Sequence, residues 1–250
     1  MNYTEIFEQR GEWYNRANEL YPGARLPERQ AFVNWLQPQA DESFLVAAAG
    51  GGYDAVGIEE AVQPGMARIV CAEPSARFAT QIPDRFEVLV TALAEVPIAD
   101  ESMDAVCCLA ALHHVENRDE VYDEWMRVLK PGGRLVVADV EVDSQNGAFL
   151  NTCVNQCTPG GHDGVFLKPN ELTDAFRARG CEDLKEATED VSWQFEATED
   201  AADFSWHLFG MVKAEKEEVL RHIEDYLPLR EKAGGIEMPW SLRFFSARKP

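Results

Sequence analysis

The sequence predicts an α/β fold: a seven-stranded, mostly parallel sheet with an antiparallel terminal strand pair, an N-terminal helix and a helical cap insertion. Three observations carry that prediction. The run from Met103 to Val140 reads as strand, loop, amphipathic helix, Pro-Gly-Gly turn and strand, and a helix crossing between two buried strands implies parallel pairing. The apolar run Ser43 to Ala48 leads into Gly50, Gly51 and Gly52, a glycine-rich strand-to-helix turn. Near the end, Val191, Trp193 and Phe195, and then Trp240, Leu242 and Phe244, alternate as two strands with helical stretches between them.

Each element has a local reason. From Tyr3 to Tyr21 the positions Tyr3, Ile6, Phe7, Trp13, Tyr14, Ala17 and Leu20 recur at helical spacing until YPGARLP breaks the pattern. Pro27 opens a second helix whose Phe32, Val33 and Leu36 share a face, and Pro38 ends it. A helix runs from about Asp54 to Val62 after the first strand; Arg68 to Ala72 and Phe86 to Thr91 are the second and third strands. Ala105 to Leu112 is the fourth. Asn117 to Glu120 has capping-box spacing and starts the helix that carries Val121, Trp125, Val128 and Leu129 at i, i+4, i+7 and i+8. Pro131, Gly132 and Gly133 end it, and Arg134 to Val140 is the fifth strand.

About 25 residues then leave the sheet, through a short helix and the loop Thr158 to Gly164, before Pro169 starts a helix with Leu172 and Phe176. Excursions of this kind usually cover a site. Two helical stretches follow, one with Phe204, Trp206, His207, Leu208 and Phe209, the other with Val219, Leu220, Ile223 and Leu227. The expected organisation is residues 1–40 as a helical segment over the site, 41–197 with 236–250 as the core, and 198–235 as the cap.

A chain of 250 residues with 46% hydrophobic content buries one sizeable core. No apolar run approaches the roughly 18 residues of a membrane helix, and MNYTEIFEQRGEW is too charged for a secretory signal, so a cytoplasmic location is expected. Cys71, Cys107, Cys108, Cys153, Cys157 and Cys181 are then expected to be reduced thiols. With 23 basic and 44 acidic residues the formal charge is −21, which repels phosphate backbones and anionic lipid. Neither nucleic acid nor membrane is an expected partner. A small-molecule substrate is, and a homodimer is compatible with the sequence.

Leu112, His113, His114 and Val115, followed by Arg127, Val128, Leu129, Lys130, Pro131, Gly132 and Gly133, resemble the LHHV and RVLKPGG segments of class I S-adenosylmethionine-dependent methyltransferases of the type 11 branch. The looser resemblance runs from about Asp41 to Gly180. It implies a Rossmann-like fold, S-adenosyl-L-methionine as cofactor and S-adenosyl-L-homocysteine as product. The family pattern at the first turn is an acid followed by G.G.G. Here Gly50 and Gly52 match its last two glycines, Ala48 stands at the first, and Val46 stands at the acid. By the same resemblance Glu73 accepts the ribose hydroxyls, with Pro74 beside it; Ala92 and Leu93 border adenine; and Ala110 contacts the methionine part. Arg25, from the preceding segment, is a candidate partner for the cofactor carboxylate, since an Arg fork fits a carboxylate.

Methyl transfer from a sulfonium expels a neutral group, so positioning supplies much of the rate, and only hydroxyl or ammonium acceptors need a base. His113 and His114, at the carboxyl end of the fourth strand, are the catalytic candidates; the alternative is a structural pair that shapes the loop. His162 in TPGGHDG, Tyr14, Trp206 and His207 are candidate substrate contacts. Trp13, Tyr14, Trp193, Trp206 and Phe209 form an aromatic set suited to an apolar pocket, or to packing the appendages onto the core. No metal is expected, because Cys153, Cys157 and His162 lack a fourth partner. Three functions compete: methyl transfer at O, N or C of a small molecule such as a secondary metabolite; a same-fold enzyme that uses S-adenosylmethionine without methylating; and a non-catalytic binding protein.

Overall fold

In the computed structural model residues 3–250 are described; the first two residues of the expected N-terminal segment lie outside them. Helices α1 (Tyr3–Leu20) and α2 (Leu26–Leu36) precede the sheet. The core alternates β1 (Ser43–Ala47), α3 (Tyr53–Val62), β2 (Arg68–Glu73), α4 (Ala76–Ala79), β3 (Glu87–Val90), β4 (Met103–Leu109), α5 (Arg118–Val128) and β5 (Leu129–Asp139). An excursion follows: α6 (Gln145–Phe149), a π-helical turn (Leu150–Val154) and α7 (Asn155–Cys157), then α8 (Glu171–Ala178) and β6 (Glu182–Asp190). The chain closes with β7 (Trp193–Phe195), α9 (Thr198–Phe209), α10 (Lys216–Tyr226), β8 (Arg230–Lys232), β9 (Gly235–Met238) and β10 (Ser241–Arg248).

Seven strands lie in the order β3-β2-β1-β4-β5-β10-β6. Strands β1 to β5 are parallel, and β10 runs antiparallel to both β5 and β6. The strand order reverses between β1 and β4, and in open sheets ligands bind at the carboxyl ends beside such a switch. Alternation sorts the core into two layers. Leu45, Val106, Leu135, Val137 and Phe245 face Val121, Trp125 and Val128 of α5 and Phe176 of α8. Phe44, Val46, Cys107, Val136 and Phe244 face α2, α3 and the cap.

The strands differ from the sequence reading in several places, β5 beginning at Leu129 rather than at Arg134. The sixth strand of the main sheet is Glu182–Asp190, whereas Trp193–Phe195 pairs with β9 in a separate three-stranded sheet, β7-β9-β8. Strand β6 forms the edge and is largely polar, EDLKEATED, so it carries little apolar alternation. Trp193 and Phe195 alternate because they bury against the cap. Strand β8 also falls inside the stretch 198–235 expected to be helical. The six cysteines are all buried and free, and among the described residues no helix is long and apolar enough to cross a membrane.

Trp125 is wholly buried between α5 and the sheet, but its indole Nε1 has no hydrogen-bond partner. Trp125→Ala is expected to cost about 3–5 kcal/mol in urea unfolding, through the cavity it leaves. Trp125→Phe, which removes the orphan donor along with one ring, is expected to cost less than half as much.

Candidate active site

The glycine-rich turn after β1 needs left-handed backbone at every second residue: Ala48 has φ +54°, Gly50 +55° and Gly52 +87°. Of these three only Ala48 carries a Cβ, and the left-handed conformation disfavours any L side chain. Ala110, just beyond β4, is likewise left-handed at φ +52°. Two strained alanines thus flank the switch point, and strain of this kind gathers at ligand sites. Gly50 is needed for space, because a Cβ there would meet the Phe78 ring at 2.9 Å, whereas a Cβ on Gly51 would displace only the tip of the Asn15 side chain.

Glu73, at the end of β2, is completely buried. Its Oε2 accepts from the Gly50 amide and the Tyr3 hydroxyl, both at 2.8 Å, and its Oε1 accepts from the Ser75 amide at 2.9 Å. Burial pushes its pKa up to about 7 against the pull of those donors. Pro74 is half-buried beside it; Leu93 is buried and Ala92 exposed.

A 3-10 turn, Leu112–His114, sets both histidines at the end of β4. His113 Nδ1 lies 2.6 Å from Oδ1 of the buried Asp139, and the His113 amide donates to Oδ2. The contact with His113 holds Asp139 below the usual carboxylate range despite its burial. In the neutral imidazole, a proton on Nδ1 directed at Asp139 leaves the Nε2 lone pair free. His162 comes in from the excursion, its Nδ1 2.9 Å from Asn151 Oδ1. Its ring centroid is 5.4 Å from that of His113 and 5.0 Å from that of His114. Burial, neighbouring imidazoles and Arg10 push His114 and His162 well below the ordinary histidine value. The three rings bring possible ligand nitrogens within 4.8 Å of one another, as a metal site would, but the Arg10 cation lines the same cavity and opposes a second positive charge. Cys157 groups instead with Glu218 and His222.

These histidines close one end of a cavity of about 60 Å³, small beside the ~300 Å³ or more of typical ligand sites. Helix α1 and the cap fill the rest. Phe7 of α1 stacks on Phe78 at 5.1 Å, and Tyr14, Trp193, Phe209 and Trp240 complete the aromatic wall. Trp206 and His207 do not line it: Trp206 packs edge-on against Trp13 at 5.2 Å, and His207 lies 5.7 Å from the same ring. Helix α9 turns Leu208 and Phe209 inward instead. Arg25 does line the cavity, but its guanidinium is paired with Glu28, which also accepts from Trp193 at 2.9 Å. Arg25 also donates to the Tyr14 hydroxyl. Sequence reasoning missed Tyr3 and Arg10. Both fall on the α1 face that carries Phe7 and Tyr14, at i, i+4, i+7 and i+11, so a charge on an apolar helical stripe was the available signal. Ala48→Gly is expected to leave stability within about 0.5 kcal/mol or raise it, since strain relief offsets the added chain entropy. Ala47→Gly, in the extended strand next door, is expected to cost about 1 kcal/mol by the same thermal denaturation.

Residues 45–137 match the model of a methyltransferase domain family. A demethylmenaquinone methyltransferase of Clavibacter sepedonicus is 31% identical over 143 residues, 54% of this chain and 57% of that protein. The chain thus spans about half the length of the curated relatives it matches. By fold it is similar to an S-adenosylmethionine-dependent methyltransferase of Thermotoga maritima, described as a possible histamine N-methyltransferase. The TM-score is 0.66 at 21% identity, covering 98% of this chain and 99% of that one. It is similar too to the cyclase SpnF, with TM-score 0.65 at 16% identity over 99% and 95% of the two chains. The matched segment holds the strained turn, Glu73 and the histidine pair. Over residues 45–137, then, this chain is similar to a methyltransferase domain family, and by fold to S-adenosylmethionine-dependent methyltransferases.

Proposed function

We propose that the chain transfers a methyl group from S-adenosylmethionine to a small molecule at the carboxyl edge of β1 and β4, leaving S-adenosylhomocysteine. The observation that carries this reading is the buried Glu73 carboxylate beside a turn whose three alternate residues are all left-handed. The donor set fits the cofactor: a ribose hydroxyl is an alcohol donor to Glu73, the part Tyr3 plays in this structure. Nucleoside and Tyr3 are therefore alternatives at one oxygen. Phe78 packs over Gly50 and Phe7 of α1 stacks on Phe78, so α1 is a cover that must lift for entry.

When bound, S-adenosylmethionine supplies a sulfonium-activated methyl whose in-line displacement needs no acid. The chain's own residues do the rest. Glu73, Gly50 and Ala110 border the nucleoside and methionine parts, and Leu93 offers an apolar wall for adenine. His113, oriented by Asp139, takes the proton of a hydroxyl or ammonium acceptor at Nε2. The aromatic wall excludes water and favours an apolar acceptor, for which a cytoplasmic secondary metabolite is the natural class. The departures at Val46 and Ala48 favour a second reading, in which the nucleoside is held without methyl turnover. Transfer of labelled methyl into a metabolite extract decides between them.

S-adenosylhomocysteine at 100 times its dissociation constant is expected to stabilise the protein by about 2.7 kcal/mol in thermal unfolding. No shift would sink both cofactor readings. Because the folded-state pKa of Glu73, about 7, lies above the ordinary 4.5, its contribution to stability is full below 4.5 and is lost as pH rises through 7. Hydroxyl donors favour the ionised form, so calorimetric affinity for S-adenosylhomocysteine is expected to rise from pH 6 to 8, and Glu73→Gln to flatten that rise. Tyr3→Phe removes the competing phenol and is expected to tighten binding by about fivefold, one hydrogen bond's worth.

A further inference from the structure

Arg10 is the anomaly of the cavity. Its side chain is 93% buried by a relative exposure of 7%, its stem packs near Gly210 at the end of α9, and its head reaches the excursion loop. There Nη2 donates to Thr158 Oγ1 at 3.0 Å and to the Gly161 carbonyl. Both acceptors are neutral, and among the described residues no carboxylate forms an ion pair with it. Burial alone lowers its pKa to about 10, with no anion to hold it up. The two carboxylates nearest in function are already matched: Glu28 to Arg25 and Trp193, and Asp139 to His113. In a chain of net charge −21, a buried cation left without an anion is costly, and buried charges are ordinarily paired.

We propose that Arg10 is the anion-recognition residue of the acceptor site, and that the acceptor is a small monocarboxylate with an aromatic or similarly apolar body. This rests on the methyl-transfer reading of the same cavity. The guanidinium presents Nε and Nη1, neither bonded to a described residue, as a fork that matches a planar carboxylate. Among the described residues no lysine and no second unpaired arginine lines the cavity, which suits one negative charge better than a phosphate. The position of Arg10 assigns the anion to the acceptor rather than to the cofactor. Thr158, Gly161 and His162 belong to the excursion beyond β5, whereas the cofactor side is marked by the turn after β1, where Arg25 lies over the Tyr53 ring at 4.7 Å. A carboxylate on Arg10 leaves a hydroxyl or amine elsewhere on the same molecule to meet the lone pairs of His113, His114 or His162.

The test uses the full chain with S-adenosylhomocysteine bound and a panel of aryl and alkenyl hydroxy-monocarboxylates, each beside its neutral primary amide. Calorimetry is expected to show the acids binding at least ~tenfold more tightly than the amides. Arg10→Met is expected to erase that preference, Arg10→Lys to keep part of it, and Arg10→Met to change S-adenosylhomocysteine affinity less than twofold. Equal binding of acids and amides by the wild type overturns the proposal, as does an Arg10→Met protein that keeps the preference. A loss of S-adenosylhomocysteine affinity in Arg10→Met, with affinity for 5′-methylthioadenosine unchanged, also overturns it, because the arginine then serves the cofactor carboxylate. Should Arg10→Met fail to fold, the acid-to-amide ratio of the wild type decides alone. If S-adenosylhomocysteine does not bind while free protein still prefers acids, the methyl-transfer reading fails and the anion site stands.

Discussion

The carboxylate of Glu73 is the point on which the strand-end architecture hangs. A charge withdrawn this far from water is tolerated only when its lone pairs are filled, and three segments far apart in the chain fill them: Tyr3 of α1, the Gly50 amide of the first turn and the Ser75 amide before α4. The same contacts locate each donor. Gly50 presents its amide because the turn is left-handed there, and a side chain at that residue would collide with Phe78. Helix α1 lies across the turn because Tyr3 reaches the carboxylate and Phe7 stacks on Phe78. The closed cavity, the aromatic wall and the placement of Arg10 all follow from where α1 docks.

Two buried arginines on the same rim behave differently, and the difference is one of pairing. Arg25 is surrounded by π faces, Tyr14, Tyr53 and Trp193, and is matched to Glu28, which raises its pKa despite full burial. That arrangement is self-sufficient: charge, hydrogen bonds and ring contacts are all internal. Arg10 has neutral acceptors and a lowered pKa. Local consistency breaks at Arg10 and not at Arg25, and residues that violate it while their surroundings are well packed are where function is expected.

Much of the sheet was legible because burial on both faces writes itself as short apolar runs. Ser43–Ala47 and Arg68–Glu73 fall within a residue of the runs that predict them, whereas Met103–Leu109 is displaced toward the N-terminus from the predicted Ala105 to Leu112. The turn was legible in finer detail, since Ala48, Gly50 and Gly52, matched to the family's three glycines, are the residues with positive φ. Strand β6 was not, because an edge strand with exposed side chains on alternate positions need not be apolar. The acceptor side was legible only in part. His113, His162, Tyr14 and Trp193 do converge, but the inward face of α9 depends on how the cap docks, which its own periodicity leaves ambiguous between Trp206 and Phe209. Tyr3 and Glu73 are 70 residues apart, and no local pattern announces a contact at that separation.

Placing Tyr3 and Arg10 on one helix couples the two halves of the site. They stand seven residues apart, two turns along the same face, so a movement that frees Glu73 for a nucleoside also shifts the guanidinium. In the closed form the Arg10 guanidinium meets only neutral acceptors, Thr158 and Gly161, and carries the desolvation penalty of a buried charge. Under the methyl-transfer reading, an anionic acceptor removes that penalty only when α1 closes over it. Closure then does three things together: it neutralises Arg10, excludes water from the aromatic wall, and fixes the acceptor against the strand ends where His113 waits. For an in-line displacement that depends on position more than on acid or base, tying closure to recognition of the correct acceptor is how a small cavity spends its binding energy on the reaction rather than on holding the substrate.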